Sequence, residues 1–234
     1  MTRIGGFSTL ARNNIHINNN TPGDPKFSSL WDQLQTCKEQ GIEITLMIGG
    51  AGGGYRSLFA NYSVYYGLLK RLLTDKKGLI TGIDLDIEEI VSLKDTLKLI
   101  NDIKSDFPDM TISMSPVQFS LETDVTGMGG FCYKDILKTG LVDYYIGQFY
   151  TDYWLEAFHK CVQNGYPPEK IVMGGISGQD FGTNLDTIAE IKKVYADFAG
   201  VSIWEYFNAP LGGADTSYNY NPNIWGQIVR KFMD

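Results

Sequence analysis

Three acidic residues at alternate positions are the strongest candidates for catalytic groups in this sequence. Asp84, Asp86 and Glu88 alternate with apolar residues in the run Ile-Asp-Leu-Asp-Ile-Glu, which begins at Ile83. Alternate side chains of a β-strand share one face, so the three acids line up together and the apolar residues face the other way. A row of carboxyl groups that share protons and hydrogen bonds is suited to general acid catalysis.

Two interpretations of this acidic strand are possible: a catalytic row of acids inside the fold, or an ordinary strand face exposed to solvent. The surroundings of the strand decide between them. A solvent-exposed polar face is common in antiparallel sheets. A parallel strand that is covered by helices on one face and by a closed core on the other has no such face, and an unpaired buried charge costs several kcal/mol. In that setting hydrogen bonds inside the fold must hold the acids, which favours a catalytic role.

Short apolar runs alternate with longer stretches of helical period along the whole chain, a pattern typical of repeated βα units around a parallel sheet. The predicted strands cover residues 3–8, 43–48, 79–88, 110–117, 142–150, 170–177 and 201–207. The predicted helices cover residues 29–40, 63–73, 92–105, 133–138, 153–163, 185–198 and 223–233. This spacing suits a closed barrel and an open doubly wound sheet equally well.

Length and charge limit the classes of protein and partner. A chain of 234 residues, of which 43% are hydrophobic, predicts one domain over residues 1–234. Its formal net charge of −7 offers no basic surface, so we expect neither nucleic acid nor an anionic membrane as a partner. The start of the chain lacks a signal-peptide pattern, and the compartment stays open: cytoplasmic as written, or secreted if an N-terminal segment is missing.

The cysteines and histidines predict no metal or cofactor. Cys37, Cys132 and Cys161 are odd in number and widely spaced, which fits neither a disulfide framework nor a zinc site. His16 and His159 are the two histidines of the chain, and they leave no Ser-His-Asp triad and no histidine metal site.

The acidic run resembles the signature of glycoside hydrolase family 18, which comprises chitinases and endo-β-N-acetylglucosaminidases. The family pattern is Asp-x-x-Asp-x-Asp-x-Glu on the fourth strand of a (β/α)8 barrel. Other segments are similar in the same order along the chain, so the resemblance covers nearly all of it. These segments are Ile48-Gly49-Gly50, similar to the family's Ser-x-Gly-Gly, then Gln148-Phe149-Tyr150, and finally Trp204 at the end of the last strand.

The resemblance implies an α/β fold of the TIM-type (β/α)8 barrel class. Seven predicted strands and an acidic strand in third place imply that this chain lacks the first βα unit, which puts Phe7 on the family's second strand, near the sugar. Two residues depart from the family pattern: Thr81 replaces its first acid and Met47 replaces its serine. Both positions are expected at the deep end of the acidic row, where they would alter proton sharing.

The resemblance also implies hydrolysis of β-1,4 linkages of N-acetylglucosamine glycans, with the substrate's acetamido group as nucleophile. Glu88 is then the general acid/base, Asp86 accepts the acetamido N–H, Asp84 supports Asp86, and Tyr150 donates to the acetamido oxygen. Trp204 is expected to stack on a sugar ring. Gln148, Phe7 and Gly50 are further candidates for substrate binding.

Two other functions remain open at this point. The first is a non-catalytic lectin that binds chitin or N-acetylglucosamine on the same barrel. The second is a double-displacement glycosidase that uses Glu88 with Glu205. Within the first hypothesis of hydrolysis, chitin and N-glycan cores, endo and exo cleavage, and the oligomeric state all stay open.

Overall fold

The structure is a computed structural model that describes residues 2–8, 14–176, 181–205 and 222–233. Contacts divide the chain into two compact units. The first unit consists of Met1–Ser115 and Thr126–Asp143, and the second of Pro116–Val125 and Tyr144–Asp234. The expectation of one domain over residues 1–234 stays a prediction.

The first unit contains parallel strands with helices between them. Its strands are β1 (Thr2–Ser8), β2 (His16–Ile17), β3 (Ile44–Gly49), β4 (Ile80–Asp86) and β5 (Thr111–Met114). Its helices are a 3-10 turn (Pro25–Phe27), α1 (Ser28–Glu39), α2 (Tyr55–Ala60), α3 (Tyr62–Asp75), α4 (Leu93–Asp106) and, after a gap in sequence, α6 (Tyr133–Leu137). Neighbouring strands pair in parallel in the order β1, β3, β4, β5, and the short β2 pairs antiparallel with β1.

The second unit repeats the same alternation. It contains α5 (Phe119–Glu122), β6 (Tyr144–Gln148), α7 (Leu155–Gln163), a 3-10 turn (Pro168–Lys170), β7 (Ile171–Ile176), α8 (Phe181–Val194), β8 (Gly200–Trp204) and α9 (Pro222–Met233). Its strands pair in parallel in the order β6, β7, β8. The α/β class with parallel strands, predicted from the alternating pattern, is therefore confirmed. None of the helices in the described ranges is long and apolar enough to cross a membrane.

The seven predicted strands all occur, and their ends differ from the predicted ones by at most three residues where they are described. β4 ends at Asp86 because its last partner on β3 is Gly49, so Glu88 lies two residues beyond the strand. α8 ends at Val194, four residues before the predicted end. Phe198 is buried, as the helical pattern predicted. Its N–H, however, donates to the carbonyl oxygen of Tyr195, which is a turn and not a continuation of the helix. The predicted end of the last strand, residues 206–207, lies outside the described residues.

Burial explains why β4 holds both apolar and acidic side chains inside the fold. Ile83 and Leu85 are 0% exposed, so the apolar row is fully covered. Asp84 is also 0% exposed and Asp86 is 5% exposed, so the acidic row is covered as well. Burial on both faces is typical of parallel strands in α/β folds. The alternative of a solvated acidic face on this strand is wrong.

We expect Leu85→Ala to lower the free energy of unfolding by about 2–5 kcal/mol, because it opens a cavity in the apolar row. Urea unfolding followed by circular dichroism measures this change. The control is Val194→Ala at the end of α8, whose side chain is 56% exposed, and its effect should stay within about 0.5 kcal/mol. Equal effects of the two variants would contradict the burial of the apolar row of β4.

Candidate active site

The acidic row runs along β4 and ends just beyond it. Asp84 and Asp86 are buried on the strand, whereas Glu88 is half-buried two residues after the last strand residue. Burial thus decreases along the row toward the carboxyl end of the strand. In parallel α/β folds this is the end where catalytic groups are found. Glu88 is the member of the row that combines enclosure with access to solvent.

Asp84 is held by two hydroxyl groups, one on the neighbouring strand β5 and one on the residue that follows it. Ser113 lies opposite Asp84 on β5, and its Oγ donates to Asp84 Oδ1 at 2.6 Å. Ser115 Oγ lies 2.9 Å from Oδ2 and 3.1 Å from Oδ1. Hydrogen bonds to an ionised acceptor are short and roughly twice as strong as neutral ones. Hydrogen bonds inside the fold thus hold Asp84, and the sharing of protons among the three acids stays a prediction.

Two glycines bring the end of β3 against Asp86. Gly49 and Gly50 have φ angles of +94° and +88°, and the N–H of Gly50 donates to the backbone oxygen of Asp86 at 2.8 Å. A Cβ atom on Gly49 would lie 2.2 Å from that oxygen, so a side chain cannot fit there. A Cβ on Gly50 would lie 3.7 Å from Asp86 Oδ2. Gly50, a predicted site residue, therefore lies beside the Asp86 carboxylate.

A buried tyrosine and a glutamate fasten the glycine-rich loop that follows β3. Tyr55 is 1% exposed and its hydroxyl donates to the carbonyl oxygen of Ile48 at 2.8 Å. Burial, together with the nearby Asp86 and Asp84 carboxylates, raises the pKa of Tyr55 well above its usual value, so its hydroxyl stays a donor. Glu89 Oε1 accepts from the N–H groups of Gly54 and Tyr55 at 2.5 and 2.6 Å.

Of the two departures from the family pattern, only Met47 lies where it was expected. Met47 is 2% exposed and pairs with Asp84 across β3 and β4. Thr81 is half-buried at the other end of β4, where its hydroxyl donates to the Glu43 carboxylate. The pairing of β3 and β4 shifts at this point, because Ile44 pairs with Ile80 and Thr45 with Gly82, so Thr81 is an extra residue at a β-bulge and does not continue the acidic row. The expectation that Thr81 sits deep in the acidic row is wrong.

The remaining predicted site residues lie in the second unit, at the carboxyl ends of its strands. Gln148 ends β6 and is half-buried, as is Tyr150, while Phe149 between them is fully buried. The N–H of Phe149 donates to the carbonyl oxygen of Gly174 at 2.8 Å, which fixes the backbone between the two polar residues. Gln148 and Tyr150 are two positions apart, a spacing that in extended chain puts side chains on one face.

Trp204 ends β8, where it pairs with Ile176, and its side chain is 40% exposed. The peptide bond between Trp204 and Glu205 is cis. Phe7 lies on β1, but its side chain is outside the described residues. Within the described ranges no group of three or more His, Cys, Asp or Glu side chains could hold a metal ion.

Sequence patterns missed the residues that support the acidic row. Ser113 and Ser115 alternate in step with the acids of β4, and that period of two was the available signal. Glu89 follows Glu88 directly, and Tyr55 follows three glycines, so neither has a local pattern that indicates its contacts. Their roles depend on contacts 34 or 35 residues apart in sequence, which only the fold defines.

No protein-family model matches the chain. An acidic endochitinase from Cicer arietinum is 25% identical over 244 residues, covering 91% of this chain and 76% of the relative. A fungal endo-β-N-acetylglucosaminidase of glycosyl hydrolase family 18 superposes with a TM-score of 0.88 at 28% identity, covering 98% of this chain and 86% of that one. A chitinase from Aspergillus fumigatus has a TM-score of 0.82 at 25% identity over 99% and 88%. These similarities confirm the resemblance and the TIM-barrel class.

We expect Glu89→Ala to speed amide hydrogen exchange at Gly54 and Tyr55 by roughly 10-fold or more, because each N–H loses a bond to a charged acceptor. Glu89→Gln keeps one accepting oxygen and should have an intermediate effect. Hydrogen–deuterium exchange with mass spectrometry of the loop peptide measures the change. Glu43→Ala removes an exposed glutamate as the control. Unchanged exchange rates at Gly54 and Tyr55 in Glu89→Ala would show that Glu89 does not hold the loop.

Proposed function

We propose that this chain, a glycoside hydrolase of family 18, cleaves β-1,4 linkages of N-acetylglucosamine glycans by substrate-assisted retaining catalysis. One observation carries the proposal: a buried row of carboxyl groups leads to a half-exposed glutamate at the carboxyl end of β4. The similar proteins named as chitinases and as an endo-β-N-acetylglucosaminidase support the substrate class.

Glu88 acts as the general acid that protonates the glycosidic oxygen and then as the general base toward water. Its position supports this role, because it lies at the end of the row where a substrate oxygen can approach. The loop behind it is fastened through Glu89, which limits the movement of the backbone next to the proton donor. A fixed donor within hydrogen-bond reach of its target is what general acid catalysis requires.

Asp86 and Asp84 act on the charge that develops during the reaction. The acetamido oxygen attacks the anomeric carbon, and the resulting ring carries a positive charge next to its N–H. Asp86 accepts that N–H and stabilises the charge, an interaction that strengthens in the transition state. Its burial at 5% exposure supports the role, because a charge acts more strongly where water is excluded. Asp84 supports Asp86 from one step deeper in the row.

The other predicted site residues receive their roles from the family resemblance. Tyr150 donates to the acetamido oxygen and orients it for attack. Trp204 stacks on a sugar ring, a role that its 40% exposure supports. Gln148 binds a sugar hydroxyl, and Phe7 and Gly50 contact the substrate. N-acetylglucosamine oligosaccharides or polysaccharides are accordingly the proposed partner.

We expect Glu88→Gln to lower kcat at least 100-fold on a chromogenic chito-oligosaccharide, because general acid catalysis contributes about 10²–10⁴-fold. Glu39→Gln, which changes an exposed glutamate at the end of α1, serves as the matched control and should keep wild-type activity. A glucoside without the acetamido group should not be cleaved by either protein. Wild-type activity in Glu88→Gln, or cleavage of the glucoside, would refute the mechanism.

We expect Trp204→Ala to raise KM by roughly 10-fold with a smaller effect on kcat, since covering a large apolar side chain contributes about 1.5–3 kcal/mol and the variant loses most of that face. Steady-state kinetics on oligosaccharides of increasing length measure this split. Trp31→Ala is the control, because Trp31 lies on α1, where its indole N–H donates to the carbonyl oxygen of Pro22. Equal KM values for the two variants would exclude a sugar platform at Trp204.

A further inference from the structure

The Asp84 carboxylate lies between two strands that differ in their ability to donate hydrogen bonds. On the β3 side its register partner is Met47, whose thioether has no proton to donate. On the β5 side its partner is Ser113, and Ser115 follows two residues later, directly after the last residue of β5. Both serines are buried, at 0% and 3% exposure. The β5 side therefore supplies hydroxyl donors to Asp84.

The three serine contacts reach both oxygens of the carboxylate. Ser113 Oγ lies 2.6 Å from Oδ1, and Ser115 Oγ lies 2.9 Å from Oδ2. The N–H of Ser115 also donates to the backbone oxygen of Leu85 at 3.2 Å, which fixes the strand that carries the hydroxyl. Hydroxyl contacts to both oxygens from two residues of one short segment hold the carboxylate in one orientation. Its side chain cannot rotate without breaking at least one short bond.

We infer that Ser113 and Ser115 are positioning residues of the acidic row, an inference that rests on the proposed function. Their hydroxyls hold Asp84 in the orientation from which it supports Asp86, and through Asp86 they influence the transition state without touching the substrate. Without the two hydroxyls the carboxylate would lose hydrogen bonds at both oxygens and could turn toward its other neighbours, since hydrogen bonds are what stabilise a buried carboxylate. The serines would then affect kcat much more than KM.

The test compares side chains that separate hydrogen bonding from packing. Ser113→Ala, Ser115→Ala and the double variant remove the donors. Ser113→Cys keeps most of the volume with a weak donor, and Ser113→Thr and Ser115→Thr keep the hydroxyl. Thr96→Val is the matched control, because it removes a buried hydroxyl that donates to the carbonyl oxygen of Ser92 at 3.1 Å on α4.

We expect the double alanine variant to lower kcat about 10- to 100-fold, consistent with loss of hydrogen bonds to a charged group, with KM within about twofold. Each threonine variant should retain kcat within a fewfold, and Ser113→Cys should behave like Ser113→Ala despite its volume. Thr96→Val should keep wild-type kcat. A kcat of the double variant within twofold of Thr96→Val, or kcat values that follow melting temperature alone, would overturn the inference.

Glu88→Gln, measured in parallel, separates a failure of the positioning role from a failure of the proposed function. If it loses activity while the serine variants keep theirs, the positioning role fails and the proposed function stands. If it keeps activity, the proposed function fails, and unfolding measurements still test the contact. In urea, the two serine-to-alanine changes should then raise the unfolding equilibrium constant less in an Asp84→Asn background than in wild type, and equal increases in the two backgrounds would show that the serines do not act on the Asp84 charge.

Discussion

The cost of burying carboxylates inside a parallel α/β fold is the constraint on which the rest of this structure depends. Asp84 is fully buried and Asp86 nearly so, on a strand whose other face is closed by apolar side chains. Such groups persist only where neighbouring atoms satisfy them. The two serine hydroxyls at Asp84 are one part of that arrangement. An apolar strand of the same shape would be easier to fold, so this acidic row is best understood as part of a functional site.

The backbone around the row follows from the same constraint. Gly49 has no side chain because the backbone oxygen of Asp86 occupies the space where its Cβ would lie. The Tyr55 hydroxyl donates to the carbonyl oxygen of Ile48 beside this contact, and it stays protonated because burial and the two acids raise its pKa. Glu89 then joins the segment after β4 to the loop after β3. The end of the acidic strand is thereby held from several directions, which matches the precision that a proton donor needs.

The sequence predicted most of this fold because its strands and helices alternate with clear periods. Every predicted strand was found, and the period of two in β4 is enough by itself to place Asp84 and Asp86 on one face. Three features were not predicted: the two serines that hold Asp84, the contacts of Glu89 with the loop after β3, and the position of Thr81. Each depends on the register between strands or on contacts distant in sequence, which no local pattern encodes. Burial of the acids could be expected, but the atoms that satisfy them could not.

The anomeric form of the first product tests the central claim most directly. Proton NMR of a chito-oligosaccharide during the first minutes of hydrolysis distinguishes the α and β anomers before they interconvert. Attack by the acetamido group, followed by water, makes two inversions at the anomeric carbon, so the account predicts that the β anomer appears first. An initial α anomer would mean direct displacement by water between two separated carboxylates, and it would contradict a single row of acids that works through the substrate's own nucleophile.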